Sequence, residues 1–190
     1  MNAVPPRSFG ELVDFPPKTW SVAPFEHTHG TTVLALRYKE GVLILADRRA
    51  TMGNLIMFDQ AEKIVPLDDA TVVAISGSFA RSVEVTRFLK HSFKYYRRAV
   101  LDEMSLEGKL MEISKMLSGN ISAMAEGIGL FIPILAAFDK AKGIFKLYFF
   151  DAAGARFENP HYACAGSGSE RIRGIFEFLG RTKGAFDKRK

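Results

Sequence analysis

The sequence predicts a layered α+β fold in which helices cover stacked antiparallel sheets, and three observations carry that prediction. Strand-like runs come first, two helical segments follow, and further strands with one more helix complete the order. The strand runs are heavily apolar and joined by short turns, whereas the helical segments repeat apolar residues at three- and four-residue spacing. Runs of one kind followed by runs of the other favour segregated layers over an alternating parallel sheet. A chain of 190 residues, 47% hydrophobic and 25% charged, is long enough to bury a sizeable core in one globular domain.

Taken in order, residues 1–30 hold Pro5, Pro6, Pro16, Pro17 and Pro24 without a sustained hydrophobic period, which predicts an extended leader. From Thr31 the pattern changes. "TTVLALRY" and "VLILAD", split by a Lys39-Glu40-Gly41 turn, read as a hairpin apolar enough to be buried on both faces. "EKIVP" and "ATVVAIS", split by Leu67-Asp68-Asp69, read as a second pair. Val83, Val85, Phe88, Leu89 and Phe93 predict a helix over Phe79–Arg98, and Leu106, Leu110, Ile113, Met116, Leu117, Ile121 and Met124 one over Ser105–Glu126. "LFIPILAAFD" and "IFKLYFFD", joined by the Asp139–Gly143 turn, predict another apolar hairpin, with "AAGARF" and "HYACA" as further strands. "SERIRGIFEFLG" predicts a last helix started by a serine cap.

Composition excludes several functions. The start lacks a cationic leader followed by an apolar run, and the longest apolar stretch, Ile128 to Phe138, is broken by Pro133 and too short to span a bilayer; a cytoplasmic, non-membrane protein is expected. One cysteine, Cys164, cannot form an intramolecular disulfide, and four scattered histidines give no metal-ligand spacing, so neither metal nor cofactor is called for. The net charge is +5, but residues 170–190 carry seven Lys/Arg against three Asp/Glu, so basicity belongs to the tail. The terminal "DKRK" has no aromatic interleaving and the chain no recognisable RNA or DNA motif, so no nucleic-acid partner is expected.

Three polar residues interrupt otherwise apolar strands. Thr31 opens the first, Asp47 closes "GVLILAD", and Lys63 lies in "AEKIVP". Buried charge is costly unless paired, so an aspartate and a lysine on neighbouring core strands are expected to meet, either as a plain salt bridge or as part of a site. A threonine freed by a cut after Gly30 would have a hydroxyl nucleophile and, in its α-amine of pKa roughly 7.7 to 8.0, a base on the same residue. The charged Lys63 would keep that amine neutral, and Asp47 would hold the lysine charged and oriented. Gly30 allows the tight bend that attack on the preceding carbonyl requires.

"GTTVLALRYKEGVLILADRRATMGN", "EKIV", "AISGSFA", the Gly119-Asn120 pair, "FDAAG" and "AGSGS", in that order, resemble the β subunit of the 20S proteasome, most closely the bacterial kind. The bacterial two-component heat-shock protease shares the Thr-Thr start and a similar "ATxGN" but is less similar in "FDAAG" and the long leader. The resemblance implies an N-terminal-nucleophile hydrolase fold, a four-layer αββα sandwich, with residues 1–30 as a propeptide and 31–190 as the hydrolase domain. It implies autocleavage between Gly30 and Thr31, with Thr31 as nucleophile, Asp47 and Lys63 as charged partners, and Arg49 in the loop beside them. Gly77 would supply an oxyanion amide, Ser167 would support the terminal amine, and Thr51 and Gly77 would pair with extended substrate. Ala50, Ala61, Val65, Ile75 and Phe79 would line an uncharged pocket for the side chain before the cut bond.

The implied partners are a heptameric ring of this chain, proteasome α subunits, an ATP-dependent unfoldase and unfolded polypeptides. In the family an Asp and a further Ser beyond "GSGS" complete the site, yet the sequence ends 23 residues after Ser167 in the basic "RTKGAFDKRK", so C-terminal truncation is expected. A non-catalytic structural subunit of the same assembly, and an amidase of the same fold acting on small molecules, are the alternative readings.

Overall fold

The structure, a computed structural model, describes residues 30–52, 55–119 and 131–183. β1 (Thr32–Tyr38) and β2 (Gly41–Ala46) form the first hairpin, and β10 (Tyr162–Gly166) pairs with the other side of β1 in a three-stranded antiparallel sheet. β3 (Ala50–Met52) and β4 (Leu55–Phe58) make a separate two-stranded ladder. A five-stranded antiparallel sheet runs in chain order through β5 (Ile64–Asp68), β6 (Thr71–Ala74), β7 (Ile134–Asp139), β8 (Ile144–Phe150) and β9 (Arg156–Glu158). Among the described residues the helices are α1 (Phe79–Val100), α2 (Leu106–Ser118) and α3 (Ser169–Lys183).

Period-two alternation in the central strands builds two cores at once. Val73, Leu135, Tyr148 and Phe150 face one way and pack with Val85, Leu89 and Phe93 of α1 and Leu110, Ile113 and Leu117 of α2. Ala74, Ile134, Ala136 and Leu147 face the other way and meet Val33, Ala35, Ala163 and Ala165 of the three-stranded sheet. α3 packs on the outer face of β10 and β1. The layer order is therefore helix, sheet, sheet, helix, as the sequence predicts. The seam between the sheets is rich in alanine, with Val33, Ile134 and Leu147 filling the rest of its buried part.

Local capping explains the helix boundaries. Ser78 caps α1 by accepting from the Arg81 amide at 3.5 Å, and Ser105 caps α2 by accepting from the Gly108 amide at 3.1 Å. Arg97 and Arg98 lie in the last turn of α1, where cations suit the helix dipole. Buried Lys109 on α2 is tied to Asp68 at 2.7 Å and Thr71 at 3.2 Å, which fastens α2 to the β5–β6 turn.

Several expectations are corrected. Leu43 and Leu45 of β2 are 48% and 50% exposed, because the three-stranded sheet has α3 over β10 and β1 but no helix packed on β2's outer face among the described residues. Leu67 and Asp68 belong to β5 rather than to a turn, and the reversal falls at Asp69-Ala70. Of "AAGARF" only Arg156 and Phe157 are strand, within Arg156–Glu158, because Asp151 folds the preceding residues into a turn by accepting from the amides of Ala153 and Ala155. Ser169 is the first residue of α3 and not a cap before it. Helix α2 is assigned to Ser118, with Gly119 as its C-cap, and the remainder of the expected helix, 120–126, lies outside the described residues.

Candidate active site

The expected site residues sit at strand ends on both sides of the inter-sheet seam. Thr31 immediately precedes β1 and Asp47 follows β2, so one hairpin carries both; Lys63 immediately precedes β5, at the rim of the other sheet. Lys63 is almost fully buried, and its Nζ meets Asp47 Oδ2 at 2.8 Å and donates to the Arg49 carbonyl at 2.6 Å. The pairing expected from buried charge is thus present. Asp47 also accepts from the Thr32 amide at 2.6 Å through Oδ1 and from the Arg49 amide at 3.0 Å through Oδ2.

Burial is the largest single influence on the Asp47 carboxyl and would raise its pKa. Hydrogen bonding from Lys63 and the Thr32 amide, the Lys63 charge and the Arg49 amide together outweigh it and hold the group below the ordinary aspartate value. Asp47 is therefore a carboxylate at neutral pH, and the ion pair with Lys63 is kept.

Thr31 is only 7% exposed and is fixed from several directions. Its carbonyl accepts from the Ser167 amide at 2.8 Å and from the Ser167 hydroxyl at 3.4 Å. Gly166 makes this approach possible: it adopts φ of 92°, and a Cβ there would fall 1.8 Å from the Thr31 oxygen. The Gly168 amide donates to the Thr32 hydroxyl at 3.1 Å. Ser167 thus holds the Thr31 carbonyl, a contact that sequence reasoning missed because nothing in a one-dimensional motif shows which backbone atom a distant turn will meet.

Other site residues fall in two groups. Gly77, with φ of 101°, follows β6 and bridges Phe131, while the neighbouring Ile75 amide donates to the Lys63 carbonyl at 2.8 Å, so the "SGS" turn lies alongside the lysine. The Ala61 amide donates to the Arg48 carbonyl at 2.8 Å, and Arg49 pairs with Asp59 at 2.8 Å on the surface. Of the pocket candidates, Ile75 is buried in the helix-side core with Val65 packed against it, Ala61 is buried, Ala50 is half-buried and Phe79, first in α1, is 40% exposed. Thr51 is half-buried on β3 and accepts from the Gly30 amide at 3.2 Å. Asn120 and residues 1–29 lie outside the described residues.

A cavity of about 490 Å³ between α1, the β5–β6 turn and α2 contains none of these residues. Among the described residues no group of three or more His, Cys, Asp or Glu is placed to hold a metal ion, and no helix is long and apolar enough to cross a membrane.

An αββα sandwich with a threonine at the head of a central strand, set beside an aspartate–lysine pair, has the fold of the N-terminal-nucleophile hydrolases. Sequence comparison then supplies the family: the proteasome subunit profile matches residues 27–183. Proteasome subunit beta of Jonesia denitrificans is 36% identical over 151 residues, 80% of this chain and 50% of the relative. Proteasome subunit beta 2 of Thermomonospora curvata is 33% identical over 80% of this chain and 54% of the relative, and proteasome subunit beta 1 of Streptomyces avermitilis 34% over 83% and 56%. The chain belongs to the proteasome subunit family. It spans about half the length of the relatives it matches.

Proposed function

We propose that the chain is a threonine endopeptidase, the proteolytic β subunit of a bacterial 20S proteasome, with residues 1–30 as a propeptide removed by cleavage between Gly30 and Thr31. The observation that carries this reading is the ion pair between buried Lys63 and half-buried Asp47, fastened by Asp47 Oδ1 to the Thr32 amide next to Thr31.

In the proposed reaction the Thr31 hydroxyl attacks the peptide carbonyl, and the freed α-amine takes its proton. That amine, with an ordinary pKa of roughly 7.7 to 8.0, stays neutral enough to act as base because the Lys63 ammonium beside it disfavours a second positive charge. Asp47 pairs with Lys63 and aims it, and Arg49 contributes its carbonyl to the same lysine. The Gly77 amide is assigned to the oxyanion, where loss of a donor typically costs about 10²- to 10³-fold in rate. Ser167, which holds the Thr31 carbonyl, is assigned the support of the amine end once the chain is cut. Main-chain groups of Thr51 and Gly77 receive the substrate as an added strand. Ala50, Ala61, Val65, Ile75 and Phe79 offer no charged partner, so cleavage after apolar or aromatic residues is favoured over cleavage after charged ones.

The proposed setting is a heptameric ring stacked on proteasome α subunits in the cytoplasm, fed with unfolded polypeptide by an ATP-dependent unfoldase. Intact mass and peptide hydrolysis of the assembled protein test the reading together. Loss of residues 1–30, and hydrolysis of a peptide ending in Tyr faster than ones ending in Arg or Glu, are expected; Thr31→Ala retains the leader and hydrolyses none. A chain that keeps its full mass and is inactive in the assembly would instead be a structural subunit.

A further inference from the structure

We propose that the side chain of Thr51 is a positioning residue for removal of the leader, holding Gly30 so that its carbonyl is presented to the Thr31 hydroxyl. The proposal rests on the reading of Gly30–Thr31 as the bond that is cut, and it gives Thr51 a task separate from that of its main chain.

Three observations meet at this side chain. The Gly30 N–H donates to Thr51 Oγ1 at 3.2 Å, across 21 residues of sequence. The approach is so close that a Cβ on Gly30 would lie 3.0 Å from the same oxygen, so glycine at position 30 leaves room for the hydroxyl. The β3–β4 ladder also shifts register between Ala50 and Thr51. Such irregularities re-aim a side chain relative to the regular pleat.

The contact matters because of what is fixed on the other side of the bond. Downstream, the Thr31 carbonyl is held by Ser167 and the Thr32 amide by Asp47. Upstream, glycine is the residue with the widest choice of backbone angles, and rotation about Gly30 would swing its carbonyl away from the nucleophile. The Thr51 contact anchors that residue's own N–H. The peptide unit to be cut therefore lies between two anchored ends.

In the reaction the Thr31 Oγ–H adds to the Gly30 carbonyl carbon, a C–O bond forms, the Gly30–Thr31 C–N bond breaks, and the hydroxyl proton ends on the new amine. Water then hydrolyses the ester, leaving a Gly30 carboxylate and a free Thr31. Thr51 gives up no atom or proton in either step. Its contribution is orientation, and small misplacement of reacting atoms can cost about 10²-fold in rate.

The experiment compares the full chain with its Thr51→Val and Thr51→Ser variants, following release of residues 1–30 by intact mass over time. Valine keeps the shape and removes the acceptor; serine keeps the acceptor and removes the methyl. Leader release slowed about tenfold or more in Thr51→Val, with Thr51→Ser within about twofold of the unsubstituted chain, is the expected result. Equal rates for Thr51→Val and the unsubstituted chain overturn the proposal, as does equal slowing in both variants, which assigns the effect to strand packing. If the unsubstituted chain is never cut, the proposed function fails and takes this with it; a chain that is cut, with an indifferent Thr51→Val, removes only the role of Thr51. Thermal unfolding of each variant in a Thr31→Ala background, where no cut occurs, reports on folding separately.

Discussion

At the scale of single residues, the Asp47–Lys63 pair is asymmetric, and its asymmetry is testable. The Lys63 side chain is 2% exposed and the Asp47 side chain 34%, so removing one partner is not equivalent to removing the other. Asp47→Ala strands a buried ammonium with the Arg49 carbonyl as its remaining described partner, and loss of a buried partner costs about 3 to 5 kcal/mol. Lys63→Met leaves a carboxylate that still has the Thr32 and Arg49 amides and some water, and should destabilise less. Urea unfolding of the two variants in a Thr31→Ala background gives the order directly. The acid side follows from the same contacts. Because the folded carboxyl titrates below its unfolded value, its contribution is complete above the unfolded pKa of about 3.9 and is lost as pH falls through the folded value. The stability gap between the parent and Asp47→Asn should accordingly be constant from pH 7 to pH 5 and close below about pH 4; a gap that grew on acidification would contradict the assignment. The partnership was legible in sequence because an aspartate and a lysine interrupt apolar strands. The Thr51 hydroxyl on Gly30 and the Ser167 amide on Thr31 were not, since both are set by register and turn geometry between segments far apart in the chain.

At the scale of elements, periodicity located the long helix and central strands well because their apolar faces are continuous, and it failed where a local feature took over. The start of α1 at Phe79 is marked by the Ser78 cap; its end runs to Val100, two residues beyond the expected Arg98. The β3–β4 ladder was missed altogether. Leu55, Ile56, Met57 and Phe58 are all about half exposed or more, so burial against the described residues is not what selects the strand. α1 also ends in an unusual way. Leu101 takes the left-handed conformation, with φ of 59°, and is 89% exposed. That backbone region costs an L-residue roughly 1 to 2 kcal/mol, and glycine avoids most of it while adding entropy to the unfolded chain. Leu101 buries little that would be lost. Leu101→Gly should therefore raise stability by about 0.5 to 1 kcal/mol, read as a higher urea midpoint at unchanged slope. A lower midpoint would mean that the exposed leucine has packing the described contacts do not include.

At the scale of the whole molecule, the candidate site is divided between the two sheets. Thr31 and Asp47 are carried by the β1–β2 hairpin and Lys63 by the strand entering β5, so the 2.8 Å ion pair also measures how closely the sheets approach. That approach is set by the alanine-rich seam, in which Ala74 is fully buried and pairs in register with Ile64, the residue after Lys63. Enlarging this position should push the sheets apart at the place where the lysine enters. Ala74→Leu is expected to cost about 1 to 3 kcal/mol by overpacking and, at a temperature where it remains folded, to slow leader release by about tenfold or more. Ile113→Val, on α2 in the other core, should cost about 0.5 to 1.5 kcal/mol with release within about twofold of the parent. The comparison separates distance across the seam from loss of stability alone: if both variants slow release in proportion to their lost stability, the seam has no special hold on the site, whereas slowing confined to Ala74→Leu ties the chemistry to the spacing between the layers.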